Sequence, residues 1–539
     1  MVAAVVWSAA WAFASPQGPL LTNGGFEVAG ADGRPAHWPL PAGASWAREE
    51  GNRFLRLQPP KPGATVVVYR EVRLRPTDKA LALSFRVRVR DLKRGTANWH
   101  DGRIVIDCKD AAGRKLPGGP GHPNYKGTTD GWVRGRVEFL LPDRAATLAI
   151  MPALFAVQSG TMDVDDLVLT AVDPAPLLQR KKAEAARRAA EIARRAARVR
   201  PQVPPVPTEK MPPMLRVAGR ELHTPDGTAV WLQGVAIPSL EWSAAGEHIL
   251  ESIGVALRDW KANCIRLPIR EHFWAGTGPH QNDGGAAYRQ LVRDAVNRAA
   301  AGGAYTVLDL HCFRAPKREH ADFWRVVAGR FKNNSAVLFE LFNEPHDIPW
   351  DVWKNGGMVT DGKGGSGAVA ERSAPLRGFP SVGMQGLVDA VRKTGAKNIL
   401  IAGGLDWGYD LSGVLAGHAL EERGGNGIVY SSHVYPWKDG WQARFLDVAA
   451  KHPVFVGECG APRKRLHFIP PERHEAPATW VPDFLAVVQK HRLHWTAWSF
   501  HPGASPCVLQ DWTYEPTAHW GAAAKKALAG QRFERKKMR

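Results

Sequence analysis

Two acids sit where a buried strand ought to continue. The segment LFELFNEPHD (residues 338–347) runs through apolar Leu338, Phe339, Leu341 and Phe342, then reaches Asn343 and Glu344 and is interrupted by Pro345. A second apolar run, Val454–Val456, leads into Glu458 within VGECG (456–460). Proline has no N–H to offer a ladder, so Pro345 is expected to stop the strand at the acid. Two carboxyl groups facing each other across a sugar can cleave a glycosidic bond: one gives a proton to the departing oxygen while the other meets the developing oxocarbenium ion. A gap of about 5–5.5 Å lets the second carboxylate attack carbon and retains configuration, whereas about 6.5–9.5 Å admits a water and inverts it. Either acid alone could equally be half of a structural ion pair.

Such a pair works only if the fold brings positions 344 and 458 together. From about residue 214 to 530, apolar strand-like segments alternate with amphipathic helical ones, as in parallel β/α architecture. Eight candidate strands are legible: Val230–Gly234, Cys264–Pro268, Tyr305–Leu310, Val337–Phe342, Ile399–Ala402, Val429–Ser432, Val454–Gly457 and Trp495–Phe500. Helical segments such as 289–301 and 384–394 fill the gaps. This predicts a (β/α)8 TIM barrel, whose functional face lies at the C-terminal ends of its strands. In order, those ends read Arg266 with Pro268, His311, Asn343-Glu344, Gly403-Gly404, His433 with Tyr435, Glu458, and Trp498. Turn chemistry accounts for one polar residue after a strand, not for such a series. Strands four and seven lie on opposite sides of the mouth, so Glu344 and Glu458 can converge. His311 and His433 taken alone would be satisfied structural histidines. No further His, Asp or Glu stands at ligand spacing beside either, so neither a metal nor a cofactor is expected. Trp242, Trp274, Trp350, Trp407, Trp437 and Trp512 fall in loops, where a flat ring can serve a sugar or the core.

Together LFNEP, SSHVYPW, VGECG, CIRLPI, LDLHC and WTAWSF, spread over about 231–525, resemble the cellulase-type enzymes of glycoside hydrolase family 5. Each motif alone is unspecific; the set in this order at strand ends is not. The resemblance implies a retaining double displacement on a β-linked polysaccharide, with Glu344 as acid/base and Glu458 as nucleophile. It implies that Asn343 holds the sugar 2-hydroxyl, that Arg266 and Tyr435 support the nucleophile, and that His311 and His433 contact sugar and carboxyls. Trp498 would floor the cleavage point, with Trp407 and Trp437 as further substrate-binding rings. The Cys residues after His311 and Glu458 are less familiar in that pattern. The chemistry asks for the same division of roles: Glu344 must hold a proton near neutral pH, while Glu458 must stay ionised, which Arg266 and the Tyr435 hydroxyl favour. An endo-β-1,4-glucanase is the first expectation and a β-mannanase or other β-glucan hydrolase the second. A non-catalytic glycan-binding protein is the rival from another class, and two intact carboxylates count against it.

The rest of the chain reads differently. Residues 20–173 carry short strands (65–69, 81–89, 103–108, 133–140, 163–170) punctuated by Gly, Pro and Asp, as in an antiparallel sandwich. LLTNGGFE at its front and MDVDDLVL at its back resemble the bracketing segments of jelly-roll carbohydrate-binding modules. Asp163, Asp165 and Asp166 could hold a structural calcium or serve at strand edges; Trp38, Trp46, Trp99 and Trp132 could stack sugars or fill a core. AEAARRAAEIARRA (183–196) writes one helix-forming heptad twice, with an alanine face too thin for a coiled coil. PQVPPVPTEKMPP (201–213) should be extended. Residues 174–213 are therefore expected to be a basic, semi-rigid linker between the two regions.

Charge is concentrated. Of the formal +19, a net +7 falls in 174–200 and +4 in the tail 531–539, leaving +8 for the remainder. No recognition motif accompanies the basic residues, so nucleic acid is not an expected partner. The expected partner is the polysaccharide substrate, a β-glucan or β-mannan; oligomeric state is left open, with a monomer the default. The 5 Cys are widely spaced and without a CxxC, so they make neither a disulfide framework nor a zinc site. Val2 to Ala14 is short and apolar, and Ala12-Phe13-Ala14 before Ser15-Pro16 has the pattern of a signal-peptidase site. Residues 1–15 are thus read as a signal peptide and the protein as exported, secreted or at the cell surface. No segment reaches the roughly 20 apolar residues of a membrane span. Two loops, Gly-rich 354–383 and basic, Pro-rich 461–478, read as surface insertions on the face where loops set substrate choice.

Overall fold

The computed structural model describes residues 20–360 and 378–537. The expected signal segment 1–15 and the middle of the 354–383 loop lie outside the described residues. The chain divides into two compact units, Met1–Ala189 and Ala190–Arg539.

Period-two sequence dominates the first unit, whose described residues are all β up to the helix that begins at Pro174. One sheet runs in the order Ala44–Glu49, Asn52–Leu57, Ser159–Ala171, Ala80–Lys93, Val133–Leu140; the second is built around Thr147–Leu154 and Gly102–Lys109. Neighbours pair antiparallel. On Gly102–Lys109 the alternation is complete, with Ile104, Ile106 and Cys108 buried and the residues between them partly exposed. Leu55, Leu83, Val87, Ile106, Leu148 and Ile150 meet in one core drawn from both sheets. Ala44–Glu49 was not legible in the sequence, because it buries no residue fully and so shows no apolar period. The calcium alternative for the acids at the back fails on pairing. Asp163 is held by Arg56 at 2.7 Å and Arg88 at 2.8 Å, and Asp165 by Arg86 at 2.6 Å. Trp38 is core and donates its indole N–H to the Asn23 carbonyl.

The helix Pro174–Ala196 buries no side chain, as expected of an alanine–arginine sequence without an apolar stripe. The Pro-rich segment after it is pinned rather than free. Asp294 accepts the amides of Gln202 (3.0 Å) and Val203 (3.4 Å), and the Tyr305 hydroxyl donates to the Pro213 carbonyl at 2.9 Å.

In the second unit eight parallel strands close into a barrel: β1 Gln233–Ala236, β2 Cys264–Ile269, β3 Tyr305–Leu310, β4 Val337–Glu340, β5 Leu400–Gly403, β6 Ile428–Val434, β7 Val454–Cys459 and β8 His494–Ala497. β8 pairs back onto β1 and completes the ring. Helices such as Ala286–Ala301, Arg318–Phe331 and Pro477–His491 turn their apolar faces to the strands, giving the (β/α)8 architecture. Most of the expected strands shift at an end by one to three residues, the eighth ending at Ala497 rather than Phe500, and for two of them the cause is visible. The first starts later, because Ala229–Val230 pair instead with Glu221–His223 in a small antiparallel sheet. Leu215 and Leu222 of this region cluster with residues near the starts of barrel strands, among them Cys264, Tyr305 and Val429, and plug that end. The run AVWLQGVAI has only Gln233 to mark the change of partner. The fourth strand is shorter: β4 ends at Glu340, and Glu344–Pro345 then pair in parallel with Phe313–Arg314. Pro345 therefore does not end the pairing. The amides used in this short ladder are those of Glu344 (to Cys312, 3.1 Å) and His346 (to Arg314, 3.1 Å), so the missing N–H of Pro345 is never needed. Glu344 gains a fixed backbone at the mouth.

Candidate active site

Arg266, on β2, is completely buried, which costs a guanidinium dearly unless every face is matched. It is matched. Nε donates to Glu340 Oε2 at 2.6 Å, Nη1 to Glu458 Oε1 at 2.8 Å and Nη2 to Asn343 Oδ1 at 2.7 Å, with Asp309 Oδ2 at 3.0 Å. Burial works against its charge, but Asp309, Glu340 and Glu458 outweigh it and raise its pKa well above the usual value. Four strands are thus tied through one side chain.

Glu458 takes the Arg266 bond on one oxygen and the Tyr435 hydroxyl on the other, at 2.6 Å. Burial would push this carboxyl up. The charges of His433, Arg266 and His311 and the Tyr435 bond overcome that and hold it below the ordinary range. Glu344 meets His433 Nδ1 at 2.9 Å, and the same nitrogen lies 3.6 Å from Glu458 Oε2. His433 is fully buried on β6. Burial disfavours its cation, yet the surrounding carboxylates of Glu458, Glu340 and Glu344 lift its pKa to about 10, so it is an imidazolium at neutral pH. The packing behind it leaves no spare room: a Cβ at Gly457 would lie 2.6 Å from Ser431 Oγ and 3.1 Å from both Glu340 Oε1 and His433 Nε2. Ser431 Oγ in turn donates to Glu340 at 3.0 Å.

The two carboxylates converge from the ends of β4 and β7. One oxygen of each, together with a His433 nitrogen, lie within 4.8 Å of one another. Asn343 spends its oxygen on Arg266, while its Nδ2 is buried with no hydrogen-bond partner among the described residues. His311 Nδ1 sits 2.7 Å from Asp309 Oδ2. Burial opposes its charge, but Asp309 outweighs that and raises its pKa. The His311 ring lies parallel to Trp498, with centroids 5.8 Å apart.

A cleft of about 610 Å³ opens over these groups, lined by His311, Glu344, Trp407, Tyr435, Glu458 and Trp498. Trp437 also lines it, parallel to Tyr435 at 4.8 Å and perpendicular to Phe468 at 6.0 Å. All ten residues singled out in the sequence thus gather at one mouth. Of the other loop tryptophans, Trp274 is core and Trp242, Trp350 and Trp512 do not line the cleft. The 461–478 loop, expected as a surface insertion, supplies a wall through Leu466, Phe468, Pro470 and Arg473. Arg473 is tied there by a 3.0 Å bond to the Trp437 carbonyl.

Sequence reasoning missed Asp309, Glu340 and Ser431. The first two had a usable signal: each is a single charge inside an otherwise apolar strand, where an unpaired carboxylate is untenable. Cys459, next to Glu458, is a buried thiol donating to the Thr496 carbonyl at 3.3 Å. Among the described residues two groups have the composition of metal sites, and in both the ligand atoms are engaged in hydrogen bonds of their own. In Glu344–His433–Glu458 the imidazole carries both protons below about pH 10. In Glu271–Cys312–His320, the Lys317 amide donates to His320 Nδ1 at 2.9 Å, which leaves the proton on Nε2, and the thiol donates to Glu271 at 3.2 Å.

Residues 224–504 match the family described as Cellulase (glycosyl hydrolase family 5). Among known proteins, the chain is similar to Endoglucanase E-5 of Thermobifida fusca, 22% identical over 333 residues that cover 58% of this chain and 61% of that protein. It is also similar to Cellulase CelDZ1 of Thermoanaerobacterium sp, 24% identical over 268 residues covering 46% of this chain and 61% of the relative. The chain thus spans about 61% of the length of these curated relatives. Among solved structures, the beta-glucanase SdGluc5_26A from Saccharophagus degradans aligns with a TM-score of 0.47 and 22% identity, over 61% of this chain and 98% of that one.

Proposed function

The chain belongs to the cellulase family, glycosyl hydrolase family 5, and from that premise we propose that it is a retaining glycosidase cleaving β-linked polysaccharide, first of all an endo-β-1,4-glucanase. The observation that carries the mechanism is that an oxygen of Glu344 and one of Glu458 lie within 4.8 Å of each other, nearer the short spacing of retaining enzymes than the long one of inverting enzymes. Glu458 attacks the anomeric carbon as the glycosidic C–O bond breaks, and Glu344 passes its proton to the leaving oxygen. The glycosyl ester on Glu458 carries no charge, so Glu344, now a carboxylate, accepts a proton from the water that attacks the same carbon. Ester cleavage returns the Glu458 carboxylate to Arg266 and Tyr435. Asn343 Nδ2, an unmatched donor among the described residues, suits the sugar 2-hydroxyl. The aromatic lining of Trp407, Trp437 and Trp498 suits the apolar faces of pyranose rings.

Export, resting on residues 2–14, and polysaccharide binding by the all-β unit, resting on its bracketing segments, belong to the same proposal. The deciding contacts for glucan against mannan lie in the loops, so substrate is tested directly. Reducing ends are measured on carboxymethyl cellulose, mannan and mixed-linkage glucan, and the anomeric configuration of the first product is read by NMR. Cleavage with a β-product is expected. Cleavage with an α-product would overturn the double displacement, and binding without cleavage would return the protein to the glycan-binding class.

A further inference from the structure

His346, two residues beyond Glu344, is part of no motif used so far, yet it forms the tightest ring stack at the mouth. Its imidazole lies parallel to the Trp407 indole, with centroids 3.6 Å apart and planes at 8°. The ring is buried, 3% exposed. Its Nδ1 faces Asp347 Oδ2 at 3.0 Å, whereas Nε2 is buried without a hydrogen-bond partner among the described residues. A buried polar atom left unmatched is costly, so the ring is not retained for its hydrogen bonds. What it offers is a flat face.

Trp407 needs such a support. It and Asp406 both occupy the left-handed region (φ 61 and 54°), which is unfavourable for residues with a side chain and persists only where neighbours impose it. The loop after β5 is closed below them by paired bonds between Leu405 and Asp410, 2.9 and 2.7 Å. Lys438 Nζ holds the Asp406 carbonyl at 2.8 Å. These contacts fix the backbone of the tip but not the plane of the indole. Trp407 lines the cleft together with Glu344, and its ring is stacked on His346, with Phe313 tilted against it at 6.2 Å. The segment Glu344–His346 therefore carries a carboxyl on one side of the cleft and the backing of an aromatic platform on the same side, held by one short ladder.

Resting on the glycosidase reading above, we propose that His346 is a positioning residue: its ring sets the plane of Trp407, which stacks the sugar on the leaving-group side of the bond being cleaved. Because Glu344 protonates the departing oxygen, the ring beside Glu344 faces the departing sugar rather than the one bound to Glu458. The support then matters only when the leaving group has a ring to stack.

The test compares His346→Ala, His346→Phe and Trp407→Ala on carboxymethyl cellulose and on β-cellobiosyl fluoride, whose leaving group has no ring. On the polymer, His346→Ala is expected to lower kcat/KM roughly tenfold, mainly through KM, as an aromatic contact of ordinary strength would. His346→Phe restores it to within about twofold, and neither variant changes the rate on the fluoride. An equal loss on both substrates would make His346 a support for the fold, and a polymer loss carried by kcat, or one that phenylalanine does not rescue, would make it a support for Glu344; either overturns the proposal. An unaltered polymer rate in Trp407→Ala would overturn it through Trp407. Failure of the glycosidase reading shows itself separately, as a wild-type protein inactive on both substrates and on every other member of the panel.

Discussion

Arginines bound to carboxylates occur on the strands of both units, and the two networks are built from the same groups to different ends. In the all-β unit, Arg56, Arg86 and Arg88 bind Asp163, Asp165 and Glu49, and the guanidiniums of Arg86 and Arg88 lie over Trp132 at 4.9 and 4.7 Å. Arg56 and Arg86 keep 30% and 28% of their side-chain surface exposed. No polar side-chain atom of that network is both buried and unmatched among the described residues. In the barrel, Arg266, Glu340 and Asp309 are wholly buried, and Asn343 Nδ2, on the residue before the cleft-lining Glu344, is left without a hydrogen-bond partner among the described residues. A charged network that satisfies itself is sufficiently explained by the strands it ties together. One that buries its charges fully and still leaves a donor over beside a cleft points to a ligand that completes it.

The sharpest break between the two is chemical. Glu458→Gln keeps the shape at the meeting point of Arg266 and Tyr435 but removes the attacking oxygen's charge. Turnover is expected to fall by roughly four orders of magnitude or more, with the fold intact by circular dichroism. Near-normal kcat in this variant would show that another group is the nucleophile and that the barrel network, like the one in the sandwich, only holds strands.

A second comparison removes one buried carboxylate charge from each network. Glu340→Gln leaves Arg266 short of a partner at a site with no solvent, and is expected to cost about 3 kcal/mol of stability. It should also lower kcat, because the arginine that orients Glu458 shifts. Asp163→Asn leaves Arg88 still bound to Glu49 at 2.6 Å, with Arg56 near water, and is expected to cost about 1 kcal/mol. It should not alter kcat on a soluble substrate. Equal losses of stability with unchanged kcat in both variants would erase the distinction drawn here.

The same contrast explains what could be read from sequence. The barrel was legible because each of its strands is an apolar run and the residues just past the ends carry chemistry; Glu344 and Glu458 need no knowledge of packing to be noticed. Asp309 and Glu340 lie inside strands, where their partner Arg266 sits 43 and 74 positions away in the chain, and only the closed barrel brings them together. His346 was invisible for a similar reason. Its meaning lies in Trp407, on the loop of the next strand, whose backbone conformation no composition rule announces. The loop 461–478 is legible as an insertion on the functional face but not as a wall of the cleft, because basic, Pro-rich sequence describes an exposed loop equally well whether or not it borders one. In the sandwich, MDVDDLVL offered three acids for a cation, and cross-strand arginines took all three.

The smallest effect separates the networks by pH. His433 carries its proton in the folded protein up to about pH 10, whereas in the unfolded chain an ordinary histidine releases it near 6.5. Between those values the folded state binds the extra proton, so stability falls as pH rises; the contribution is complete below about 6.5 and lost above about 10. Its slope is at most about 1.4 kcal/mol per pH unit. Unfolding by denaturant at pH 7, 8 and 9 should therefore show a decline in the wild type that is flattened in His433→Gln. Asp163→Asn, which leaves His433 and its carboxylates untouched, should decline in parallel with the wild type. If His433→Gln declines as steeply as wild type, the imidazolium between Glu344 and Glu458 is not the group that titrates, and the positive charge holding Glu458 ionised would have to come from Arg266 and His311.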